Sequence, residues 1–150
     1  MRNSPKAFPI AIVVWPILTE EESPSLTTGK LVASILRTAI RTYFQLSLLD
    51  PKYKDKTLEI VNQTIKLAPT DPKLLVNKAV ILTQFERVPE AIENYQKAIE
   101  LKPDYREAHL QLGDLYVKTG EKDLANKEAE FVLGLIPNDP DALKLLEQIK

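Results

Sequence analysis

The 150-residue chain has no cysteine, four glycines and a single histidine, methionine and tryptophan. Without cysteine it has no disulfide, no thiolate zinc site and no cysteine nucleophile. That absence leaves cytosol and periplasm undistinguished. The single histidine, His109, is accompanied by no cysteine nucleophile and no second histidine, so a catalytic role is not expected for it. Glycine is too scarce for a phosphate loop. The nearest fragment, Thr27-Thr28-Gly29-Lys30, lacks the leading glycine and the spacing. Charge of one sign is also missing: 20 Lys and Arg face 21 Asp and Glu, a net charge of −1. There is no basic surplus to hold nucleic acid by counterion release, so nucleic acid is not an expected partner. Neither catalysis nor a cofactor is indicated.

Proline is plentiful by comparison, with 11 in the chain. Pro5, Pro9, Pro16 and Pro24 crowd the start. The rest fall where helices should begin or end. Pro69, Pro103 and Pro137 recur at a period of about 34 residues, each two positions after a leucine (Leu67, Leu101, Leu135). Ala91 and Ala125 keep the same interval. A fixed period of about this length with helical patterning inside it points to a helix–turn–helix repeat.

Residues 1–29 differ from the rest. Ala7 to Leu18 is an apolar run interrupted by two prolines and followed by Glu20, Glu21 and Glu22. Spanning a bilayer takes roughly 20 apolar residues, and this run is shorter. Arg2 and Lys6 are like the charged start of a signal peptide, but no small-x-small cleavage site follows. Three readings stay open: a partly ordered extension, a signal or anchor, and the tail of a membrane span from a larger protein. Membrane contact through residues 7–18 is therefore an alternative to a cytoplasmic location, as is the periplasm.

From Lys30 the pattern is helical. Leu31, Ile35, Leu36, Ala39, Ile40, Tyr43, Phe44 and Leu48 recur at steps of three and four. Further stripes follow: Leu58, Val61, Ile65 and Leu67; then Leu74, Leu75, Ile81, Leu82 and Phe85; then Ala108, Leu112, Leu115 and Tyr116. Asp71-Pro72, Asp104 and Asp139-Pro140 are read as helix starts, because aspartate accepts bonds from free first-turn amides and proline there loses no needed donor. Gly120 is read as a left-handed helix end. In the last helix, Leu143, Leu146 and Ile149 are expected to face inward, opposite Lys144, Glu147, Gln148 and Lys150.

Small residues recur where two helices of a hairpin would cross closely. Ala79 and Gly113 share one register position, and Ala91 and Ala125 another. On these residues, with Leu112, Tyr116, Gly120 and Pro137, and Tyr95, Ala98 and Pro103 in the unit before, the chain resembles the tetratricopeptide-repeat family. The repeats are about 38–71, 72–105 and 106–139, with a capping helix at 140–150. The first repeat departs at Gln45 and Thr57. The expected organisation is an extension at 1–29 and a repeat domain at 30–150. The resemblance implies an all-α fold, hairpins stacked in a short right-handed superhelix, whose concave groove binds a protein or peptide. More loosely, the approach to the repeats resembles C-terminal regions of bacterial O-antigen-ligase-like membrane proteins, which implies an accessory tail as the alternative function.

The family register places Thr42, Leu46, Lys73, Val76, Asn77, Val80, Gln84, Glu107, Leu110, Gln111, Asp114 and Lys118 on or near the concave surface. Some family members clamp a C-terminal carboxylate with lysines, arginines and asparagines there. Of these only Asn77 matches, so a carboxylate clamp is not expected. His109 is read as a packed structural histidine. Lys78 interrupts an apolar stripe: either its stem packs while the ammonium reaches water, or it holds a charge near the groove. The triplet Asn62-Gln63-Thr64 lies in an expected helix and is given no role.

Overall fold

The computed structural model describes residues 26–149. Among them are seven α-helices and no strand: α1 (Leu26–Leu49), α2 (Lys54–Leu67), α3 (Pro72–Gln84), α4 (Val88–Leu101), α5 (Arg106–Thr119), α6 (Lys122–Leu135) and α7 (Pro140–Ile149). A short 3-10 turn, Pro51–Tyr53, joins α1 to α2. The apolar segment 7–18 lies outside the described residues, and the reading of membrane contact with it. No described helix is long and apolar enough to cross a membrane. The chain divides into two compact units, Met1–Ala39 and Ile40–Lys150. In the first, the described residues form the start of α1, where Leu36 and Ala39 are buried. This helix begins at Leu26, four residues ahead of the expected boundary.

In the second unit the expected punctuation is largely present. The Asp71 carboxylate accepts the Lys73 amide at 3.0 Å, with Pro72 as first helical residue. Asp139 accepts the amides of Asp141 and Ala142 at 3.1 and 3.0 Å. Asp104 plays no such part. Tyr105 is the residue before α5 and makes no side-chain cap bond. Gly120 ends α5 in the left-handed region at φ 86°. The equivalent turn after α3 is made by Glu86 at φ 63°. Both turns close with the same bond, Arg87 N–H to Leu82 O at 2.9 Å and Glu121 N–H to Tyr116 O at 2.8 Å.

The core runs through the hairpins. Ala79, Ala91, Ala98, Ala108, Ala125 and Ala129 have no exposed surface, and Tyr95 and Tyr116 fill the wider gaps. Small side chains at these positions let the two helices of a hairpin approach closely, where added bulk would strain the contact. Thr57, where the first repeat lacks the alanine, is equally buried and satisfies its hydroxyl on Tyr53 O at 2.8 Å. Three inward assignments are corrected. Leu67 is 55% exposed, because it lies about 200° round the helix from Ile65. Leu48 is 59% exposed, and Ser47 is buried instead. Ile40, Phe44 and Ser47 keep the 3.6-residue period, and position 48 lies about 100° further round. In α7 the buried residues are Ala142 and Leu145, whereas Leu143 is 43% exposed.

Candidate functional site

Helices α5 and α7 face each other across an open groove of about 280 Å³. Glu107, Leu110, Gln111 and Asp114 line it from α5. They recur at steps of three and four and so share one face. Asp141, Lys144, Leu145 and Gln148 line it from α7 at the same kind of spacing. Leu110 and Leu145 are buried and form an apolar floor.

Two contacts set the distance between the walls. At the start of α5 the Arg106 guanidinium donates from Nε to Asp139 Oδ2 at 2.6 Å and from Nη2 to Asp139 Oδ1 at 2.9 Å. The same Nη2 reaches Asp141 Oδ2 at 2.5 Å. A paired fork of this kind is directional as well as charged. Arg106 holds the Asp139 carboxyl below the usual carboxylate range, against the opposing effect of burial. Midway along α5 is Gly113. A Cβ there would collide with the Leu145 side chain and sit 3.3 Å from Glu128 Cβ. The missing side chain is what lets α7 settle onto the hairpin.

The groove polar groups are partly paired among themselves. Gln111 Nε2 donates to Glu107 Oε1 at 3.1 Å. Lys118 pairs with Asp114 at 2.7 Å. No group of three or more His, Asp or Glu among the described residues could hold a metal ion.

Four of the twelve concave candidates thus come together: Glu107, Leu110, Gln111 and Asp114. Lys118 adjoins them through Asp114. Lys73, Asn77 and Gln84 are exposed on α3, and Val80 is half-buried against the core. Val76 is corrected: it is 5% exposed and belongs to the core. Leu110 also is buried rather than presented, and acts as floor. Thr42 is exposed on α1 and Leu46 half-buried. Arg106 and the α7 wall were not among the sequence candidates. Burial of Ala142 and Leu145 puts Asp141, Lys144 and Gln148 on the groove side.

His109 is packed, as expected, and its environment is polar. Nδ1 lies 2.6 Å from Glu128 Oε2, and Nε2 lies 2.9 Å from Pro103 O. The ring stacks on Phe131 at 4.2 Å. Both neighbours are acceptors, so only the imidazolium, with two N–H donors, satisfies both. Burial opposes that charge, but the Glu128 and Pro103 bonds outweigh it and raise the histidine pKa.

Lys78 is not in the α5–α7 groove. It lines a second groove with Asp55, Leu58 and Glu59 of α2 and with Arg87 and Glu90 at α4, on the side of the second helices. Burial, then Lys97, holds its ammonium below the usual lysine range. The packed-stem reading fits this position; the reading of a charge beside the concave face does not.

A family model for the TPR repeat matches residues 80–120. "TPR repeat-containing thioredoxin TTL4" of Arabidopsis thaliana is 30% identical over 90 residues, 60% of this chain. The chain spans 13% of the length of that relative. Among solved structures, the first TPR of Spaghetti (RPAP3) bound to HSP90 peptide SRMEEVD superposes with TM-score 0.65 at 23% identity, covering 78% of this chain and 89% of that one. The second TPR domain of human RPAP3 in complex with HSP70 peptide SGPTIEEVD gives TM-score 0.61 at 20% identity, covering 78% and 97%. At these identities the likeness establishes the fold.

Proposed function

Because this chain is a tetratricopeptide-repeat protein, we propose that it is a non-catalytic interaction module that holds a peptide or protein segment along its concave side. The segment runs over the first helices α3 and α5 and into the groove against α7. The observation that carries this reading is the groove itself. Four residues chosen from register meet four from α7 around an apolar floor, with amide and charged groups on both walls. Mixed polar and apolar linings of this kind suit backbone hydrogen bonding together with burial of a small side chain. The peptide complexes of the RPAP3 domains support the same use of the fold.

The test is comparative capture. Asn77 and Gln111 occupy equivalent positions on α3 and α5. Replacing both by alanine should weaken capture of partners from the source cell, read by mass spectrometry, while helicity and unfolding stay unchanged. Equal capture by both proteins would remove the concave side as the binding face.

A further inference from the structure

Resting on the reading that the concave side binds a segment of chain, we propose that the α5–α7 groove selects an extended segment carrying lysine or arginine, not an acidic tail. The lining charges lean one way: Glu107, Asp114 and Asp141 against Lys144. Arg106 and Lys118 answer part of this from the ends, Arg106 through the carboxylates of Asp139 and Asp141 and Lys118 through Asp114. Glu107 shares an oxygen with the Gln111 amide and pairs with no cation among the described residues. Its field reaches inward. The Tyr95 phenol is pushed up to about 12, chiefly by burial and then by Glu107 and Asp114. Tyr105 is raised by burial and then by Glu107 and Asp71.

Spacing narrows the ligand. Glu107 and Asp114 are seven residues apart on one helix, about 10 Å along its axis. Three residues of chain in the polyproline-II form rise about 9 Å and complete one turn, so side chains three apart lie on one side. Basic residues three apart would meet both carboxylates. The residues between them would lie over Leu110 and Leu145, and the Lys144 ammonium would donate to peptide carbonyls. Complementary charge of this kind decides which partner is accepted more than how tightly it is held.

The experiment is fluorescence anisotropy at low salt with three labelled peptides: GSRALRSG, its charge-reversed form GSEALESG, and the acidic SRMEEVD. The basic peptide should bind at least tenfold more tightly than either acidic one and weaken as salt is added. Glu107→Lys should abolish that preference and Glu107→Gln reduce it. Glu107 is exposed, so circular dichroism should show both variants folded. The proposal is overturned if an acidic peptide binds as well as the basic one, or if Glu107→Lys leaves the ratio unchanged. It is also overturned if no peptide binds. In that case the capture comparison with the Asn77 and Gln111 double variant still decides, on its own, whether the concave side is used.

Discussion

The hairpins α3–α4 and α5–α6 place the same backbone in the same register, yet their side chains diverge at defined positions. Ala79 corresponds to Gly113, Lys78 to Leu112, Leu75 to His109, Glu86 to Gly120 and Lys73 to Glu107. Where the two helices of a hairpin cross closely the residue stays small: Ala91 and Ala125 both have no exposed surface. Positions that meet a neighbour have changed with it. Gly113 meets Leu145 of α7; within its own hairpin, His109 replaces Leu75 together with its partner Glu128, which replaces Asn94. The repeat therefore sets the fold, and the departures from the repeat set the local chemistry. Substitutions at five positions and a titration test that division, beginning with the largest effect.

Gly113→Leu should be the most damaging change. Its Cβ already conflicts with Leu145, and Glu128 leaves no room on the other side. Overpacking a closed contact costs roughly 1–3 kcal/mol, and the loss here should reach about 3 kcal/mol in urea unfolding. Gly113→Ala should cost less, because the obstructing atom is the end of a flexible leucine. Wild-type unfolding of the leucine variant would break the claim that α7 is seated by the missing side chain.

Arg106→Ala comes next. It leaves the buried Asp139 carboxylate facing α7 without its guanidinium. Removing one partner of a buried pair strands the other charge. The expected result is faster amide exchange in α7, with α3 and α4 little changed. Arg106 depresses the Asp139 pKa in the folded state. Its stabilisation is therefore present above the unfolded carboxylate value, about 3.9, and lost as pH falls through the lower folded value. Protection of α7 should survive to lower pH in the wild type than in the variant. Uniform loss of protection along the whole chain would argue against a local latch.

The His109 position separates the two hairpins by pH. A histidine pKa raised by folding contributes stability that is complete below its unfolded value, about 6.5, and is lost as pH rises through the folded value. Unfolding free energy should decline over that window. His109→Leu, which copies Leu75 of the preceding repeat, should flatten the profile. The chain has no other histidine, so an unchanged decline in the variant would show that Glu128 and Pro103 do not hold the imidazolium.

These contrasts also show what was legible in the amino-acid order. The period, the aspartate caps at Asp71 and Asp139, the small residues at crossings and the Gly120 turn are local or repetitive signals, and each can be read from a single unit. The α5 wall of the groove followed from register alone. The α7 wall did not, because a helix of ten residues offers two competing apolar stripes. Leu143, Leu146 and Ile149 form the more conspicuous one, but the contact with Gly113 selects Ala142 and Leu145. Arg106 was missed for a related reason. Its partner Asp139 lies 33 residues away, and no pattern within one repeat connects them. Val76 was placed on the groove by register, but neighbouring core residues enclose it. Pairings between repeats are tertiary facts, and a repeat signal averages them away.

The smallest effect concerns the turn that both hairpins share. Glu86 and Gly120 close it with equivalent backbone bonds, at φ 63° and 86°. An L-residue in the left-handed region costs roughly 1–2 kcal/mol relative to glycine. Glycine in return leaves the unfolded chain freer, which offsets roughly 0.4–1 kcal/mol. Glu86→Gly should thus stabilise the protein by about 0.5 kcal/mol, and Gly120→Ala should destabilise it by about the same. A Cβ at Gly120 meets nothing within 4 Å, so the second change tests backbone conformation with no steric contribution. The paired measurement is decisive because the two changes are mirror images in one register. Made together they should nearly cancel in total stability. They should also move the weaker turn from the end of α3 to the end of α5, which local amide exchange would detect. Destabilisation by both would mean that the Glu86 side chain, not its backbone, supports the first turn.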